Sequence, residues 1–327
     1  MHTSRRSLLI GATAALAAPS LRARAATRIS FRLDWTVYGT HAPFYLAVQE
    51  KMFEKAGLEV TIGEGQGSAT VAKLVGQGGD PLGFVDFGSM IFAVAAGVPL
   101  IALQRVIANN MCIVSHADAP IRSPKELEGK VIAYAPSEST SQMTVALLRQ
   151  NGVDPQQVSV LNPATGAKNA LFLQNRADAI PASLNVQPAQ LEAQGAKIYD
   201  FLFSDFGVHL MNNGIVANAD WAHANPDPAR AFLQVTAEAF AAAKADPEHA
   251  IAAVIAQAPQ QARYKEVLLR QLNFSFPLLG TKATEGKPFG TMAAEDWNET
   301  QGLLLKYAGL SKETPVERLY TNDLLSS

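Results

Sequence analysis

Residues 28–63, RISFRLDWTVYGTHAPFYLAVQEKMFEKAGLEVTIG, contain the unit from which the fold of this chain can be inferred. The runs RISFRLDW and LEVTIGE are short and β-rich, so each predicts a strand. The stretch between them carries apolar residues at helical spacing, namely Phe44, Val48, Met52 and Phe53. Gly57 stands at the usual left-handed cap position, so a helix is predicted over residues 41–55. Two strands joined by a helix form the βαβ unit of a parallel sheet.

This pattern forms two sets along the chain, and residues 28–63 open the first. In the first set, a helix over residues 68–76 precedes the predicted strands PLGFVDFG and IALQRVI. A second set alternates the helices SPKELEG, 139–151 and 167–175 with the strands KVIAYA, VSVLN and ADAIPAS. From residue 219 onward the chain is helical and alanine-rich, and it closes with the helix EDWNETQGLLLKYAGL. Two sets of alternating strands and helices predict an α/β protein.

We therefore predict two Rossmann-like lobes with a hinge and a cleft between them. A chain of about 300 residues usually divides into two domains, and its helical tail needs a surface to pack on. The economical arrangement returns the tail to the first sheet. Lobe 1 then comprises residues 27–108 and 218–327, and lobe 2 comprises residues 109–217. The chain is expected to cross between the lobes near Asn109 and near Val216, and the two crossings form the hinge.

Residues 1–25 are predicted to be an export signal that is not part of the fold. They combine Arg5 and Arg6 with the apolar run LLIGATAALAA and with the small-x-small motif ARA at residues 23–25. The apolar run is too short to span a bilayer, which disfavours a membrane anchor. SRRSLLI fits the twin-arginine type of signal. We therefore expect a periplasmic location.

Composition excludes several classes of partner and site. Without residues 1–25 the 27 basic residues fall by four arginines to 23, against 29 acidic ones. A formal charge near −6 offers no attraction for nucleic acid or an anionic membrane. The single cysteine, Cys112, cannot form an internal disulfide and is expected in the core. The six histidines show no metal-ligand spacing, so we predict neither a metal nor a cofactor.

The candidate catalytic motifs fail on their spacing. GTKATEGKP at residues 280–288 resembles a phosphate-binding loop, but five residues separate its first two glycines and Pro288 replaces the hydroxyl residue. GEGQGS at residues 63–68 lacks the third glycine of the dinucleotide-binding fingerprint. The sequence contains no G-x-S-x-G nucleophile elbow. The chain is therefore not predicted to be an enzyme.

Two segments at predicted strand-to-helix turns suit a small-molecule ligand. Gly67 and Ser68 begin one helix, and Ser139 and Thr140 begin another within PSESTS, residues 136–141. Backbone N–H groups at helix starts can bind a ligand, and open α/β sheets bind ligands at the carboxyl ends of their strands. We therefore expect the two helix starts to face each other across the cleft. Ordinary N-capping by Ser68 and Ser139 is the alternative.

Several motifs resemble one family of transport proteins. They are residues 33–62, GDPLGFVDFGSMIFAVAAGVPLIAL, SPKELEGKVIAY and the ending LYTNDLL. Together they resemble the thiamine-pyrimidine-precursor branch of the periplasmic substrate-binding proteins of ABC importers. The same superfamily includes alkanesulfonate binders, nitrate binders and eukaryotic thiamine pyrimidine synthases. The resemblance implies a type II periplasmic binding fold, here a monomer, which closes on a small molecule and docks on a membrane permease.

The resemblance also implies roles for the residues after the first strand. Trp35 is expected to stack on a flat ring, Tyr38 to offer a hydroxyl, and His41 to hydrogen-bond the ligand or orient it. A core position that caps the sheet is the alternative for Trp35. Three further residues complete the predicted ligand-binding set: Phe87, Ser89 and Asn185.

Departures from the family pattern leave the ligand open. The pyrimidine pattern is D-W-T-P-N-x-x-H, but Val37 and Tyr38 replace its proline and asparagine. Another planar aromatic or heteroaromatic compound therefore fits as well, and an alkanesulfonate or an aromatic carboxylate is a further alternative.

The chain also departs from the synthase motifs, which argues against a synthase. A synthase needs a histidine, a lysine and a cysteine-rich iron motif, whereas Phe92, Gly88 and the cysteine-free FGVHLMNNG stand at the corresponding positions. An exported solute-binding protein is the predicted class. A synthase relative with altered chemistry and an exported sensor or hydrolase are the alternatives.

Overall fold

A computed structural model describes residues 26–136, 138–164 and 166–325 of the chain, so the predicted export signal lies outside the described residues. The strands are β1 Thr27–Arg32, β2 Leu58–Gly63, β3 Leu82–Asp86, β4 Leu100–Arg105, β5 Met111–His116, β6 Val131–Ala133, β7 Ser159–Leu161, β8 Ala179–Ser183, β9 Ile198–Leu202 and β10 Asn213–Asn218. The α-helices are α1 Ala42–Gln49, α2 Met52–Lys55, α3 Ser68–Gly76, α4 Phe87–Ala95, α5 Ser139–Gln150, α6 Lys168–Leu173, α7 Gln187–Ala193, α8 Ala219–Ala224, α9 Pro226–Ala245, α10 Pro247–Gln257, α11 Lys265–Ser275 and α12 Ala294–Tyr307. None of these helices is long and apolar enough to cross a bilayer.

The strands form two five-stranded sheets, one in each lobe. Their strand orders are β2-β1-β3-β10-β4 and β7-β6-β8-β5-β9. In each sheet three strands of βαβ units run parallel, and one antiparallel strand, β10 or β5, separates them from the outer strand. The two sheets therefore share one topology, and the prediction of a two-lobed α/β fold is confirmed.

Each antiparallel strand is the first strand after the chain changes sheet. β4 lies in the first sheet and β5 in the second, whereas β9 lies in the second sheet and β10 in the first. The prediction that the chain crosses near Val216 is therefore wrong, because Val216 already lies inside β10 of the first sheet. For the same reason residues 213–217 do not belong to lobe 2. All six residues of β10 are buried, so their backbone groups need partners on both sides, and β3 and β4 supply them. The remaining lobe boundaries and the hinge stay predictions.

Some of the helices predicted from the sequence match the structure and others do not. α3 has the predicted bounds, and Gly57 has the expected left-handed φ of 78°. The single helix predicted over residues 41–55 is wrong, because Lys51 adopts a left-handed φ of 55° and separates α1 from α2. The predicted helix SPKELEG is only a 3-10 turn, Pro124–Leu127, because the next residue is already extended with ψ 129°.

The helical tail packs on the first sheet through aromatic contacts. In α9, Phe232 lies 5.1 Å from Phe31 of β1 and Phe240 lies 5.7 Å from Phe44 of α1, between ring centroids. The end of the chain then runs along β4, where Ala102 N–H donates to the carbonyl of Leu319 at 2.8 Å. The tail thereby buries one face of this sheet and covers its β4 edge.

Gly39 lies where the turn after β1 approaches α11 most closely. It begins a short 3-10 helix, Gly39–His41, and its N–H donates to Gln271 Oε1 at 2.9 Å. A Cβ at this position would overlap the carbonyl oxygen of Leu268 and the backbone nitrogen of Leu272. Glycine is therefore required for α11 to pack against this turn.

Asp86 is a buried carboxyl at the end of β3. Its Oδ1 accepts a hydrogen bond from Ser89 N–H at 3.0 Å and so caps α4, and its own N–H donates to Ser68 Oγ at 3.0 Å. Burial raises the pKa of this carboxyl from 3.8 to about 6, against the opposing effect of the Ser89 hydrogen bond. Because the folded pKa lies above the unfolded one, this group favours folding below about pH 4, and that contribution is lost as the pH rises to about 6.

We expect Gly39→Ala to lower the free energy of unfolding by about 1–3 kcal/mol, because overpacking against backbone atoms forces α11 to shift. Gly302→Ala is the control. Gly302 is exposed on α12 with open space around the position of a Cβ, so alanine should raise stability by up to about 1 kcal/mol. Urea unfolding measures both effects, and parent-like stability of Gly39→Ala would contradict the packing argument.

We expect Asp86→Asn to raise the free energy of unfolding at neutral pH by up to about 3 kcal/mol, because asparagine caps a helix as well and carries no charge to desolvate. The gain should shrink as the pH falls from about 6 to about 4, where the parent carboxyl takes up its proton. Urea unfolding across this range measures it. Asp227→Asn, whose parent side chain is 75% exposed, is the control and should show no such gain. A gain that does not vary with pH would be evidence against a raised Asp86 pKa.

Candidate functional site

A cleft of about 430 Å³, part of it open to solvent, lies between the two lobes. Its lobe-1 wall follows β1 and β2, and its lobe-2 wall follows β6, β7 and β8. Both walls thus lie beyond the carboxyl ends of parallel strands, where open α/β sheets bind ligands. The lining residues are Asp34, Trp35, Tyr38, Gly67 and Ser68 from lobe 1, and Glu138, Ser139, Thr140, Lys168, Ser183, Val186 and Gln187 from lobe 2.

The starts of α3 and α5 face this cleft from opposite lobes. Six of the ten residues proposed from the sequence line it: Trp35, Tyr38, Gly67, Ser68, Ser139 and Thr140. Gly67 is the N-cap of α3 with φ 103°, a conformation that favours glycine. Ser68 is the first helical residue and does not cap the helix, since Gly67 is the N-cap; the Ser68 Oγ instead accepts the Asp86 N–H. The O–H of this hydroxyl can donate a hydrogen bond to a ligand.

Asp34 connects the residues of the lobe-1 wall. Its carboxylate accepts hydrogen bonds from His41 Nε2 at 2.9 Å, Asn213 Nδ2 at 2.9 Å and the Tyr38 hydroxyl at 3.3 Å. His41 Nδ1 accepts the Tyr38 N–H at 3.4 Å, so Nε2 is the nitrogen that donates to Asp34. Burial, and then the neighbouring Asp34 carboxylate, raise the pKa of the Tyr38 hydroxyl well above 10, which keeps it a donor.

Trp35 is half-buried on the same wall. One side of its indole packs against the lobe-1 core, and its Cζ2 lies beside Gly166 of lobe 2, 3.8 Å from the position of a Cβ there. Trp297, in contrast, is fully buried. Trp35 therefore keeps part of its ring at the cleft, where an aromatic face suits a flat ligand.

The other four predicted residues do not line the cleft: His41, Phe87, Ser89 and Asn185. His41 is fully buried beneath the ring of Tyr38, at 3.8 Å between ring centroids, and supports the cleft wall through its contacts with Tyr38 and Asp34. Phe87 is stacked on Trp297 at 5.0 Å, and the Ser89 N–H bonds Asp86. The predicted direct contacts of Phe87 and Ser89 are thus corrected, because the capped first turn of α4 packs into the core.

Asn185 joins the lobes behind the cleft instead of lining it. Its Nδ2 donates to Thr40 Oγ1 of lobe 1 at 2.8 Å, and its Oδ1 accepts from Asn110 Nδ2 at 2.8 Å. Gln271 of α11 donates to the carbonyl of Val186 at 2.9 Å in the same region. These buried hydrogen bonds cross from one lobe to the other and hold the back of the cleft together.

The lobe-2 wall contains a buried ion pair. Lys168 Nζ, on the first residue of α6, lies 2.5 Å from Glu138 Oε2 and donates to the carbonyl of Pro181 at 2.8 Å. Gln187 Oε1 accepts the Ser183 N–H at 2.8 Å. This wall therefore presents donors and acceptors opposite the aromatic rings of Trp35 and Tyr38.

Six lining residues were missed by the sequence-based set: Asp34, Glu138, Lys168, Ser183, Val186 and Gln187. Asp34 and Glu138 lie inside segments already identified from the sequence, DWT and PSESTS. Each is an acidic residue next to a predicted ligand contact, and that proximity could have identified it as a lining residue. Lys168 and Gln187 begin helices whose position depends on the strand order of the second sheet, which local sequence does not reveal.

The two positions that correspond to the histidine and the lysine of a synthase supply neither an imidazole nor an amine to the cleft. Gly88 and Phe92 both lie on α4, and a Cβ at Gly88 would already crowd Met143. In the part of the chain that the structure describes, no group of three or more His, Cys, Asp or Glu side chains is placed to hold a metal ion. The residues that line the cleft provide an aromatic surface for stacking and polar groups for hydrogen bonding.

Comparison with known proteins agrees with the resemblance. A family model described as NMT1/THI5 like matches residues 39–250. A Haemophilus influenzae protein named as a thiamine biosynthesis protein is 28% identical over 296 residues, covering 89% of this chain and 92% of the relative. The formylaminopyrimidine-binding protein of Halalkalibacterium halodurans is 21% identical over 300 residues, covering 90% of this chain and 89% of the relative.

Solved structures show the same fold. The alkanesulfonate-binding protein SsuA of Xanthomonas axonopodis pv. citri, bound to MOPS, matches with a TM-score of 0.69 and 18% identity over 93% of this chain and 98% of that one. The architecture is therefore that of the periplasmic binding proteins. Because the family match covers more than half of its length, the chain belongs to the NMT1/THI5 like family.

Proposed function

We propose that this chain is the exported solute-binding protein of an ABC importer, which captures a small planar heteroaromatic molecule and delivers it to a membrane permease. The observation that carries the proposal is the interlobe cleft, in which the aromatic wall of Trp35 and Tyr38 faces a polar wall from the other lobe. A ligand that contacts both walls favours the state in which the lobes are together. Family membership and the formylaminopyrimidine-binding relative support the same class.

The two chain crossings are the proposed hinge. Asn109 and Asn212 have left-handed φ angles of 50° and 43°, which asparagine tolerates better than most residues. Asn109 Oδ1 accepts from Leu210 N–H at 2.9 Å, and Asn212 Oδ1 accepts from Asn110 N–H at 3.1 Å. Each asparagine thus bonds the backbone of the other crossing. Two crossings tied together in this way are suited to bending as one unit.

We propose a binding rather than a catalytic role. The Asp34 carboxylate is held by three donors, the Lys168 ammonium by Glu138 and a carbonyl, and the His41 ring lies behind the cleft wall. Groups whose positions are fixed by hydrogen bonds within the protein are suited to holding a ligand in a defined orientation. A name in thiamine biosynthesis, which the Haemophilus influenzae relative carries, is compatible with supplying a precursor.

A thiamine pyrimidine precursor is the proposed ligand. A single six-membered ring with small substituents can stack on Trp35 while its polar groups face the opposite wall of the cleft. The formylaminopyrimidine-binding relative, aligned over 90% of this chain, favours this choice. Alkanesulfonates and aromatic carboxylates are the competing ligand classes.

Thermal unfolding with four probes tests the function: formylaminopyrimidine, 4-amino-5-hydroxymethyl-2-methylpyrimidine, MOPS and benzoate. A ligand at about 100 times its dissociation constant adds about 2.7 kcal/mol to stability, so binding should raise the melting temperature clearly. A rise with the pyrimidines supports the proposal. A rise with MOPS or benzoate alone would reject the ligand class, and no rise with any probe would reject the solute-binding role.

Trp35→Ala should weaken binding of 4-amino-5-hydroxymethyl-2-methylpyrimidine by about 1–3 kcal/mol, because the variant loses the stacking surface. Its free energy of unfolding should fall less, since the indole is only half-buried. Isothermal titration calorimetry and urea unfolding separate the two effects. Trp297→Ala is the matched control and should instead lose about 3–5 kcal/mol of stability, because Trp297 is fully buried. Unchanged affinity in Trp35→Ala would remove Trp35 from the binding site.

A further inference from the structure

The buried ion pair of Lys168 and Glu138 is the one strongly polar feature of the lobe-2 wall that the proposed stacking does not explain. The side chains of Lys168 and Glu138 are only 3% and 5% exposed, respectively. Removing two charges from water costs several kcal/mol for each ion, and a buried pair is often no more stable than apolar residues of the same size. Stability alone therefore gives no reason for an ion pair at the ligand cleft.

The hydrogen bonds of Glu138 are incomplete. Its Oε2 accepts from Lys168 Nζ and from Thr140 Oγ1 at 3.3 Å. Its Oε1 is buried and has no hydrogen-bond partner in the described part of the chain. A buried acceptor without a partner is costly, and native proteins normally supply one. Because Glu138 lines the cleft, a bound molecule can supply it.

Lys168 offers the complementary group beside this acceptor. An ammonium has three hydrogens to donate, and two of them are used by Glu138 and by the carbonyl of Pro181. The third is available to an acceptor on the ligand. The pair therefore presents a carboxylate oxygen that needs an N–H or O–H donor, next to an ammonium that can give one hydrogen bond.

The net charge of the cleft lining also disfavours an anionic ligand. Its described lining residues include two carboxylates, Asp34 and Glu138, and one ammonium, Lys168, which is already paired. The lining therefore carries one more acid than base. A sulfonate or carboxylate placed here meets like charge and leaves Glu138 Oε1 without a donor.

We propose that the Glu138–Lys168 pair selects ligands that carry an amino or amidine N–H next to an acceptor atom, and that it excludes anions of similar size. The inference rests on the proposed solute-binding function and deepens it by naming the ligand chemistry. In an aminopyrimidine, the exocyclic amino group donates to Glu138 Oε1 and the adjacent ring nitrogen accepts from Lys168 Nζ. Specificity of this kind is strong because a ligand without the donor leaves a buried acceptor unpaired.

Two probes that differ in one group test the selection. They are 4-amino-5-hydroxymethyl-2-methylpyrimidine and 5-hydroxymethyl-2,4-dimethylpyrimidine, in which a methyl group replaces the amino group at similar size. By isothermal titration calorimetry, the parent protein should prefer the amino compound by about 10- to 100-fold, the range expected for a hydrogen bond to a charged group. MOPS and benzoate should bind more weakly than the amino compound.

The double variant Glu138→Leu/Lys168→Met removes the pair without leaving a single buried charge. It should lower affinity for the amino compound by about 10-fold or more and bring the two pyrimidines to within about threefold of each other. The control double variant, Lys125→Gln/Glu128→Gln, removes a pair whose side chains are 66% and 30% exposed, and should keep the parent preference. Far-UV circular dichroism and melting temperature check that both variants fold. Should the double variant fail to fold, Glu138→Gln is measured in its place, with the same loss of preference expected.

The outcomes separate this inference from the proposed function. If the pyrimidines bind and their binding depends on Trp35, but the parent does not distinguish amino from methyl, the inference is wrong and the function stands. The same holds if the preference survives in the Glu138 variants, or if MOPS or benzoate binds more tightly than the amino compound. If none of the probes binds the parent, the proposed function is rejected and the inference with it.

Discussion

The carboxylate of Asp34 holds together the part of lobe 1 on which the cleft depends. It lies just beyond β1 and accepts hydrogen bonds from His41, Tyr38 and Asn213. The first two belong to the turn that leads into α1, and the third begins β10, the strand that returns from lobe 2. A carboxylate removed from water needs such donors, so one group joins the turn after β1 to the start of β10, 179 residues along the chain. The positions of Tyr38 and Trp35 at the cleft follow from this arrangement.

The exchange of strands between the lobes explains why the cleft and the proposed hinge occur together. Each sheet contains one antiparallel strand that enters directly after a crossing, so both crossings lie side by side at the back of the cleft. Asn185 and Gln271 add buried hydrogen bonds between the lobes at the same place. Residues at the carboxyl ends of β1 and β6 then face each other across a short gap. In the proposed function, a ligand in that gap would bond to both lobes at once and so couple binding to closure.

The fold of this protein does not by itself determine which ligand it binds. The alkanesulfonate-binding protein with a TM-score of 0.69 has the same architecture at 18% identity, and architecture of this kind accommodates many ligands. The ligand depends on a few side chains at the strand ends. Here these include a half-buried indole, a buried tyrosine and an ion pair with one unsatisfied oxygen, whereas the described lining residues provide no unpaired cation for an anion.

The sequence by itself determined the α/β class, the bounds of α3, the two helix starts at the cleft and the family, because these depend on local periodicity and short motifs. It misplaced the second crossing, since NGIVAN carries no local sign of which sheet it joins. It also placed Phe87 and Asn185 in the cleft, although their side chains point into the core and between the lobes. Only the tertiary structure decided these positions and brought Lys168 to Glu138, 30 residues apart, because a buried charge takes its partner from whatever the packing of distant segments supplies.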